Sequence, residues 1–349
     1  MEPASPRAAP PGARSLRALG FFWMVLLAAG LGGAVLLDRL GPPGGQERSP
    51  LAEGTAPAAT VPATQGHAEA APPAPAAPRG PLIAEPDPAP LDRLRDGTLP
   101  RVADDGRAPW RLYARPFDQA DRRPRVGVLV AGLGISESAT EAAIQRLPGA
   151  VSLAFSPYGL RLAEFAALAR ADGHEVLVAI PMEPVGFPLN DPGPQALLTS
   201  LSWGDNSQRL SWALSRFPGY VGATNVLGPT LRGERFAASP EAMRPLLEVL
   251  GARGLMFVEG RAGEAAPPGL PGRSVDLVLD DRQSRAEIEQ RLAELERIAR
   301  ERGSALGVSG ASTLAVERIA AWAAGLEERG LVLAPVTALV TPRERQAQR

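Results

Sequence analysis

The chain has no cysteine. That excludes disulfides, thiolate metal sites and a cysteine nucleophile, and it leaves the redox compartment open. Histidine is nearly as scarce, with His67 and His174 the two in 349 residues. Most zinc sites and many acid–base mechanisms use imidazole, so this scarcity disfavours several reaction classes at once. The chain also lacks an excess of charge of one sign. Its 37 basic and 38 acidic side chains leave a formal net charge of −1, with no global basic field of the kind that binds nucleic acid.

Glycine and proline are plentiful, at 37 each, and the proline share is about twice the average. Residues 1–17 carry Arg7, Arg14 and Arg17 against one acid, Glu2. Ala18 to Leu37 then runs without a charge. A helix of about 20 residues spans roughly 30 Å, the hydrocarbon thickness of a bilayer. The preceding arginines predict a cytoplasmic N-terminus. A cleaved signal peptide would have a shorter apolar core and an A-x-A site, whereas Asp38-Arg39-Leu40-Gly41-Pro42-Pro43 follows here. An uncleaved single-pass anchor over 18–37 is therefore expected.

Residues 38–120 are rich in Pro, Ala and Gly, as in APPAPAAPRGP at 71–81. Such a segment cannot bury enough apolar surface to offset its ordering entropy, which predicts a disordered, extended tether. His67 falls in it and reads as a solvated linker residue. Leu91–Arg95 and Trp110–Tyr113 are expected to form short ordered pieces at the domain edge.

From Arg123 the pattern changes to apolar runs alternating with amphipathic ones. Strands are predicted at Val126–Val130, Val151–Phe155, Glu175–Ile180, Val221–Thr224, Leu255–Val258, Val275–Leu279, Ala305–Val308 and Leu331–Pro335. Capping-box spacings at Ser138/Glu141, Ser202/Asp205 and Ser284/Glu287, and the pair Ser239-Pro240, mark helix starts between them. Arg285–Arg302 is the longest predicted helix, with Ile288, Leu292, Leu295 and Ile298 as its apolar stripe. The alternation implies an α/β domain of parallel strands over 121–341, followed by a polar tail at 342–349. Periodicity leaves open a closed barrel or a doubly wound sheet. In both, sites form at the C-terminal strand ends.

Three chemistries can be weighed there. Gly132-Leu133-Gly134 begins a dinucleotide fingerprint, but its third position is Glu137, a carboxylate that would repel a pyrophosphate. Gly307-Val308-Ser309-Gly310-Ala311 approximates a nucleophile elbow. No histidine follows Ser309, and His174 begins a strand and so belongs at the opposite end, which leaves the serine without a base. A carboxylate-only metal site could draw on Glu183, Asp191, Glu259, Asp280 and Asp281, a donor set suited to Mg or Ca. The plainer reading is that these acids cap helices, close turns or pair with Arg261 and Arg282.

The run His174-Glu-Val-Leu-Val-Ala-Ile-Pro-Met-Glu-Pro184, with Asn190-Asp-Pro-Gly-Pro194, Leu197-Leu-Thr199, Leu210-Ser-Trp-Ala-Leu-Ser-Arg216 and Pro218-Gly-Tyr-Val-Gly222, resembles the divergent polysaccharide deacetylase family. The resemblance covers roughly residues 123–341. It implies a distorted (β/α) barrel of the carbohydrate deacetylase superfamily, whose members remove N-acetyl groups from sugars with a divalent metal such as zinc, held by Asp and His, and a carboxylate base. The chemical positions depart from the pattern. The family's acid pair in D-D-L-G falls on Ala131 and Gly132. Its histidines fall on Ala179, Val226 and the Ser309–Ala311 segment, and its D-S-R-T on Glu259-Gly260-Arg261-Ala262. Glu183, Asp191, Asn225, Arg261, Asp276 and Asp280 match.

The charge-free run and its flanking arginines predict a bacterial inner-membrane protein with a periplasmic domain, and the departures from the family pattern predict one without catalytic residues, bound metal or cofactor. Glu183, Asp191, Asn225, Arg261 and Asp280 are its candidate ligand-binding groups. Expected partners are a cell-envelope glycan or an envelope protein, with no nucleic acid. Two alternatives stand beside this: a hydrolase of amide C–N bonds working through relocated carboxylates, and a structural envelope scaffold.

Overall fold

The computed structural model of the chain describes residues 91–94 and 97–340. The expected anchor at 18–37, the N-terminal residues 1–17, most of the tether and the 342–349 tail lie outside the described residues. Among the described residues no helix is long and apolar enough to cross a membrane.

Order begins inside the stretch expected as tether. Strands β1 (Leu91–Leu94) and β2 (Gly97–Pro100) form an antiparallel hairpin, and α1 (Pro109–Leu112) follows. Composition hides these pieces because their partners are remote in sequence. Arg253 Nη1 donates to Pro100 O at 3.0 Å and lies 3.5 Å from Asp92 Oδ2.

The main sheet comprises β3 (Arg125–Leu133), β4 (Ser152–Phe155), β5 (Val176–Ala179), β6 (Gly222–Thr224), β7 (Met256–Glu259), β8 (Gly272–Ser274), β9 (Leu277–Val278), β10 (Ser304–Gly310) and β11 (Val332–Leu333). The order is β8-β7-β6-β5-β4-β3-β10-β9, all parallel, with β11 against the start of β3. Helices α2 (Glu137–Arg146), α3 (Leu162–Ala171), α4 (Trp203–Leu214), α5 (Glu234–Ala237), α6 (Pro240–Ala252), α7 (Arg285–Arg302) and α8 (Thr313–Ala324) connect the strands.

The two ends of this sheet meet. Val275 N donates to Glu259 O of β7 at 2.9 Å, and the next residue, Asp276, donates its N–H to Leu306 O of β10 at 2.8 Å. Two consecutive residues therefore bond to opposite ends of the sheet, which requires it to curl into a distorted barrel. The expected single strand over Val275–Leu279 is broken for this reason. Asp276 pins the crossing. Its Oδ2 accepts Leu306 N at 2.8 Å and Arg273 Nη2 at 2.5 Å.

Alternation along the strands divides the core. Leu129, Ala131, Ala154, Leu177, Met256, Val258, Leu306 and Val308 form one cluster, the barrel interior. Val128, Val130, Leu153, Phe155, Val178 and Phe257 pack outward against helix residues such as Leu246, Leu250, Leu292 and Leu295. The interior is plugged at the strand N-termini by Tyr113 and by Val336, Ala338 and Leu339 of a 3₁₀ turn over Val336–Leu339. Val336 N donates to Ser152 Oγ at 3.0 Å. Beside it Glu175, just before β5, accepts Thr337 N at 3.1 Å, Arg115 N at 3.0 Å and the Thr337 hydroxyl. His174 is fully buried at this same end, its ring nitrogens 2.7 Å from Val151 O and 3.0 Å from Ile144 O.

The cap residues Ser202, Ser239 and Ser284 start α4, α6 and α7, each hydroxyl accepting an amide three residues on. At α2 the cap is Ser136, whose hydroxyl accepts Ala139 N at 3.3 Å, while Ser138 is already helical. Only Ser138 has a Glu three residues on, but the extended backbone at Ser136 makes that serine the cap, which needs an accepting hydroxyl and no acid at the third position.

Candidate functional site

The C-terminal strand ends are covered by the chain's own β6–α5 loop. Gly132, at φ +81°, has Leu227 O 3.5 Å from where a Cβ would stand. A Cβ on Gly310 would lie 2.6 Å from Pro229 Cγ and 3.1 Å from Asp280 Oδ2. Residues 227–229 thus cross the ends of β3 and β10. The loop is tied down by Leu227 N to Leu231 O at 2.8 Å, by Asn225 Nδ2 to Arg232 O at 2.8 Å and by Arg232 Nη1 to Pro229 O at 2.6 Å. Arg232 Nη1 also lies 3.5 Å from Asp281 Oδ1. Val226 is buried and belongs to the barrel interior, against Gly260. Where the resemblance places a metal-ligating histidine, an aliphatic side chain completes the core.

Beside this cap lies a closed polar cluster. Glu259 ends β7 at 1% exposure. Its Oε1 accepts Asn225 Nδ2 at 2.9 Å, Arg261 N at 2.9 Å and Arg261 Nε at 3.1 Å, and its Oε2 accepts Arg261 Nη2 at 3.0 Å. Asn225, also fully buried, accepts Gly260 N at 2.7 Å. Burial works against the Arg261 cation, but the hydrogen bonds and charge of Glu259 outweigh it, and its pKa stays above the ordinary arginine value. This is a charge-assisted fork whose acceptor capacity is used up internally.

The other candidates stand apart. Glu183 is buried, and its Oε2 accepts Thr199 N at 2.7 Å and Thr199 Oγ1 at 2.6 Å, while its Oε1 lies 3.2 Å from Arg235 Nε. Asp191 is exposed and closes a turn by accepting Gly193 N at 2.8 Å. Asp280 is buried after β9, with Oδ2 accepting Gly310 N at 2.8 Å and Oδ1 unpartnered among the described residues. Burial raises its pKa, partly opposed by the Gly310 amide and the nearby Ser309 hydroxyl. Ser309 is buried within β10 and donates to Gly310 O at 3.1 Å.

Of the five candidate binding residues the fold unites Asn225 and Arg261, and it joins them through Glu259. By sequence alone Glu259 reads as a metal ligand, a cap or turn acid, or an arginine partner. The short spacing Glu259-Gly260-Arg261 was the available signal for that pairing. Nothing local signalled the partners of Glu183, which are 16 and 52 residues away.

This donor set does not fit the family's metal. Ala131, Gly132, Ala179 and Val226 offer no side-chain ligand, Glu183 and Glu259 are occupied by N–H and O–H donors, and the one buried carboxylate oxygen without a partner among the described residues, Asp280 Oδ1, is a single ligand. Among the described residues no group of three or more His, Asp or Glu stands close enough to hold an ion.

The fold and site define a class: a distorted barrel of parallel strands and outer helices whose strand-end centre is apolar and self-capped. The chain belongs to the divergent polysaccharide deacetylase family, whose model matches residues 128–340. A solved structure of an uncharacterized protein, ATU2773 from Agrobacterium tumefaciens C58, is similar with a TM-score of 0.65 and 37% sequence identity, over 70% of this chain and 100% of that one. No curated protein matches.

Proposed function

We propose that this chain is a membrane-anchored member of the family that has lost deacetylation and serves as a glycan-binding or protein-interaction module at the bacterial envelope. One observation carries the proposal: Val226 and the loop over 227–229 occupy the strand-end centre where a metal and a substrate carbonyl would have to meet. A metal–hydroxide mechanism needs both a Lewis acid and a base for the water, and losing either costs several orders of magnitude in rate. The uncharged run at 18–37 supports the anchor, and the Pro/Ala-rich stretch after it supports a domain held away from the bilayer.

The test is metal analysis of the purified full chain together with acetate release from N-acetylated glycans. Substoichiometric metal and no acetate are expected; stoichiometric zinc with acetate release would overturn the proposal. One observation favours the second reading, a hydrolase using relocated carboxylates: Asp280 keeps a buried, unpartnered oxygen and a raised pKa. If that reading holds, Asp280→Asn abolishes whatever hydrolysis is measured. An unchanged rate removes it.

A further inference from the structure

Five large aliphatic side chains are exposed among the described residues, and four of them, Ile135, Leu160, Val185 and Leu189, stand on loops at one end of the barrel. These loops are the β3–α2, β4–α3 and β5–α4 connections, which leave three neighbouring strands at their C-terminal ends. Leu160 is 90% exposed and Leu189 94%. A single exposed leucine needs no explanation, but a contiguous set does. The three loops touch one another. A Cβ on Gly159 would overlap Gly134 O, so the residues just before Leu160 and Ile135 are in contact. Tyr158 Oη accepts Gln195 N at 3.0 Å and stands 2.6 Å from where a Cβ on Gly193 would lie. Asn190 Nδ2 donates to Val185 O at 3.0 Å and closes the turn that carries Leu189. Together they form one rim beside the mouth, on other strands than the Asn225–Glu259–Arg261 cluster.

The tips of this rim carry no charge. Residues 132–136, 156–160 and 184–190 contain no Asp, Glu, Lys or Arg, and the charges that follow them are Glu137, Arg161 and Asp191. Arg161 is committed, with Nη1 donating to Glu137 Oε2 at 3.0 Å and Nε to Glu164 Oε2 at 2.8 Å. A bilayer surface is met by apolar groups backed by lysine and arginine, and these tips have no such backing. An uncharged aliphatic rim suits another of its own kind. Under a two-fold axis a patch meets its own image, so it must be complementary to itself, and a charge near the axis would face its like. At about 100 Å² for a whole aliphatic side chain, the four side chains expose roughly 300 Å² per copy. The exposed Pro188 and Pro194 and the half-buried Phe187 bring the rim to about 500 Å². Two copies face to face therefore bury on the order of 1,000 Å², the lower limit for a specific interface.

We propose that two copies of this chain pair through this rim, with Ile135, Leu160, Val185 and Leu189 of one against the same residues of the other about a two-fold axis. The pairing turns the two mouths toward each other on the β3–β5 side, which narrows the approach of a long polysaccharide to either.

The test is sedimentation velocity of the full chain in a density-matched detergent, over about 1 to 100 μM. A reversible dimer with a micromolar dissociation constant is expected, as suits an interface at the lower limit of area. Leu160→Asp with Leu189→Asp sets acids against acids and should raise that constant at least about hundredfold. Leu168→Asp, on α3 and outside the rim, should change it by less than about threefold. Leu160→Met with Leu189→Met keeps the apolar surface and should keep the dimer. Circular dichroism of each variant checks the fold, which these exposed side chains do not support. A monomer at every concentration overturns the proposal. So does a dimer that the double aspartate variant leaves intact, because the contact then lies elsewhere. Quenching of a dye attached through Leu160→Cys by brominated lipid chains, in vesicles holding the full chain, would make the bilayer the occupant and overturns it as well.

Discussion

Glu175 gives the sharpest quantitative prediction. The side chain is 1% exposed, and burial pushes its pKa up to about 7 from an ordinary 4.5, against the opposing hydrogen bonds from Thr337 and Arg115. Between those two values the folded chain holds a proton that the unfolded chain has released. Stability therefore falls as pH rises through that window, is fully retained below about 4.5, and is flat with respect to this group above about 7. A separation of about 2.5 units corresponds to a loss on the order of 3 kcal/mol. For a domain of this size that is roughly 6–12 °C in Tm. Glu175→Gln cannot ionise. It also turns an amide N–H toward one of the donors that Glu175 accepts, a fixed cost of about 1–2 kcal/mol that does not depend on pH. The assay is thermal unfolding of both chains at intervals from pH 4.5 to 8. The difference in Tm between them should shift in favour of the variant by several degrees across that range. A difference that stays constant from pH 5 to pH 8 would refute the reasoning, because it would mean that Glu175 titrates alike in both states.

Three further outcomes follow from the mouth of the barrel. Gly260→Ala should cost about 1–3 kcal/mol, because its new Cβ would overlap Val226, and Val226→Ala should recover part of that loss in a double-mutant cycle read by denaturant unfolding. Additive effects would mean that Val226 does not fill the space over Gly260. Asn225→Leu removes the hydrogen bonds to Glu259, Gly260 and Arg232, and should lower stability by about 2–4 kcal/mol in the same assay. Val226→His should leave metal content unchanged, because Ala131, Gly132 and Ala179 still offer no ligand; zinc bound at one per chain would contradict that account.

The strands and helices were largely legible because their causes are local. Val126–Val130 and Arg285–Arg302 follow from apolar periodicity, and Ser202, Ser239 and Ser284 are caps by chemistry alone. The break at Val275–Asp276 was not legible. It exists because two remote strands, β7 and β10, approach the same dipeptide. The hairpin at Leu91–Pro100 was half visible for the same reason, since its anchor Arg253 lies about 150 residues away.

The site divides in the same way. Sequence by itself determined that the residues matching the family's acid pair and histidines have no ligating atoms, because side-chain identity alone settles whether a position can bind metal. It also determined the charge-free run and the absence of cysteine chemistry. Only the tertiary structure decided what the remaining polar groups do. Asn225, Glu259 and Arg261 come from the ends of neighbouring strands, and they hydrogen-bond through Glu259 only once β6 and β7 are in register. The loop over 227–229 closes the mouth because Gly132 and Gly310, on two other strands, leave room for its backbone and for Pro229. Hydrogen-bond satisfaction and close packing depend on the positions of several segments at once, and no single stretch of the chain contains them.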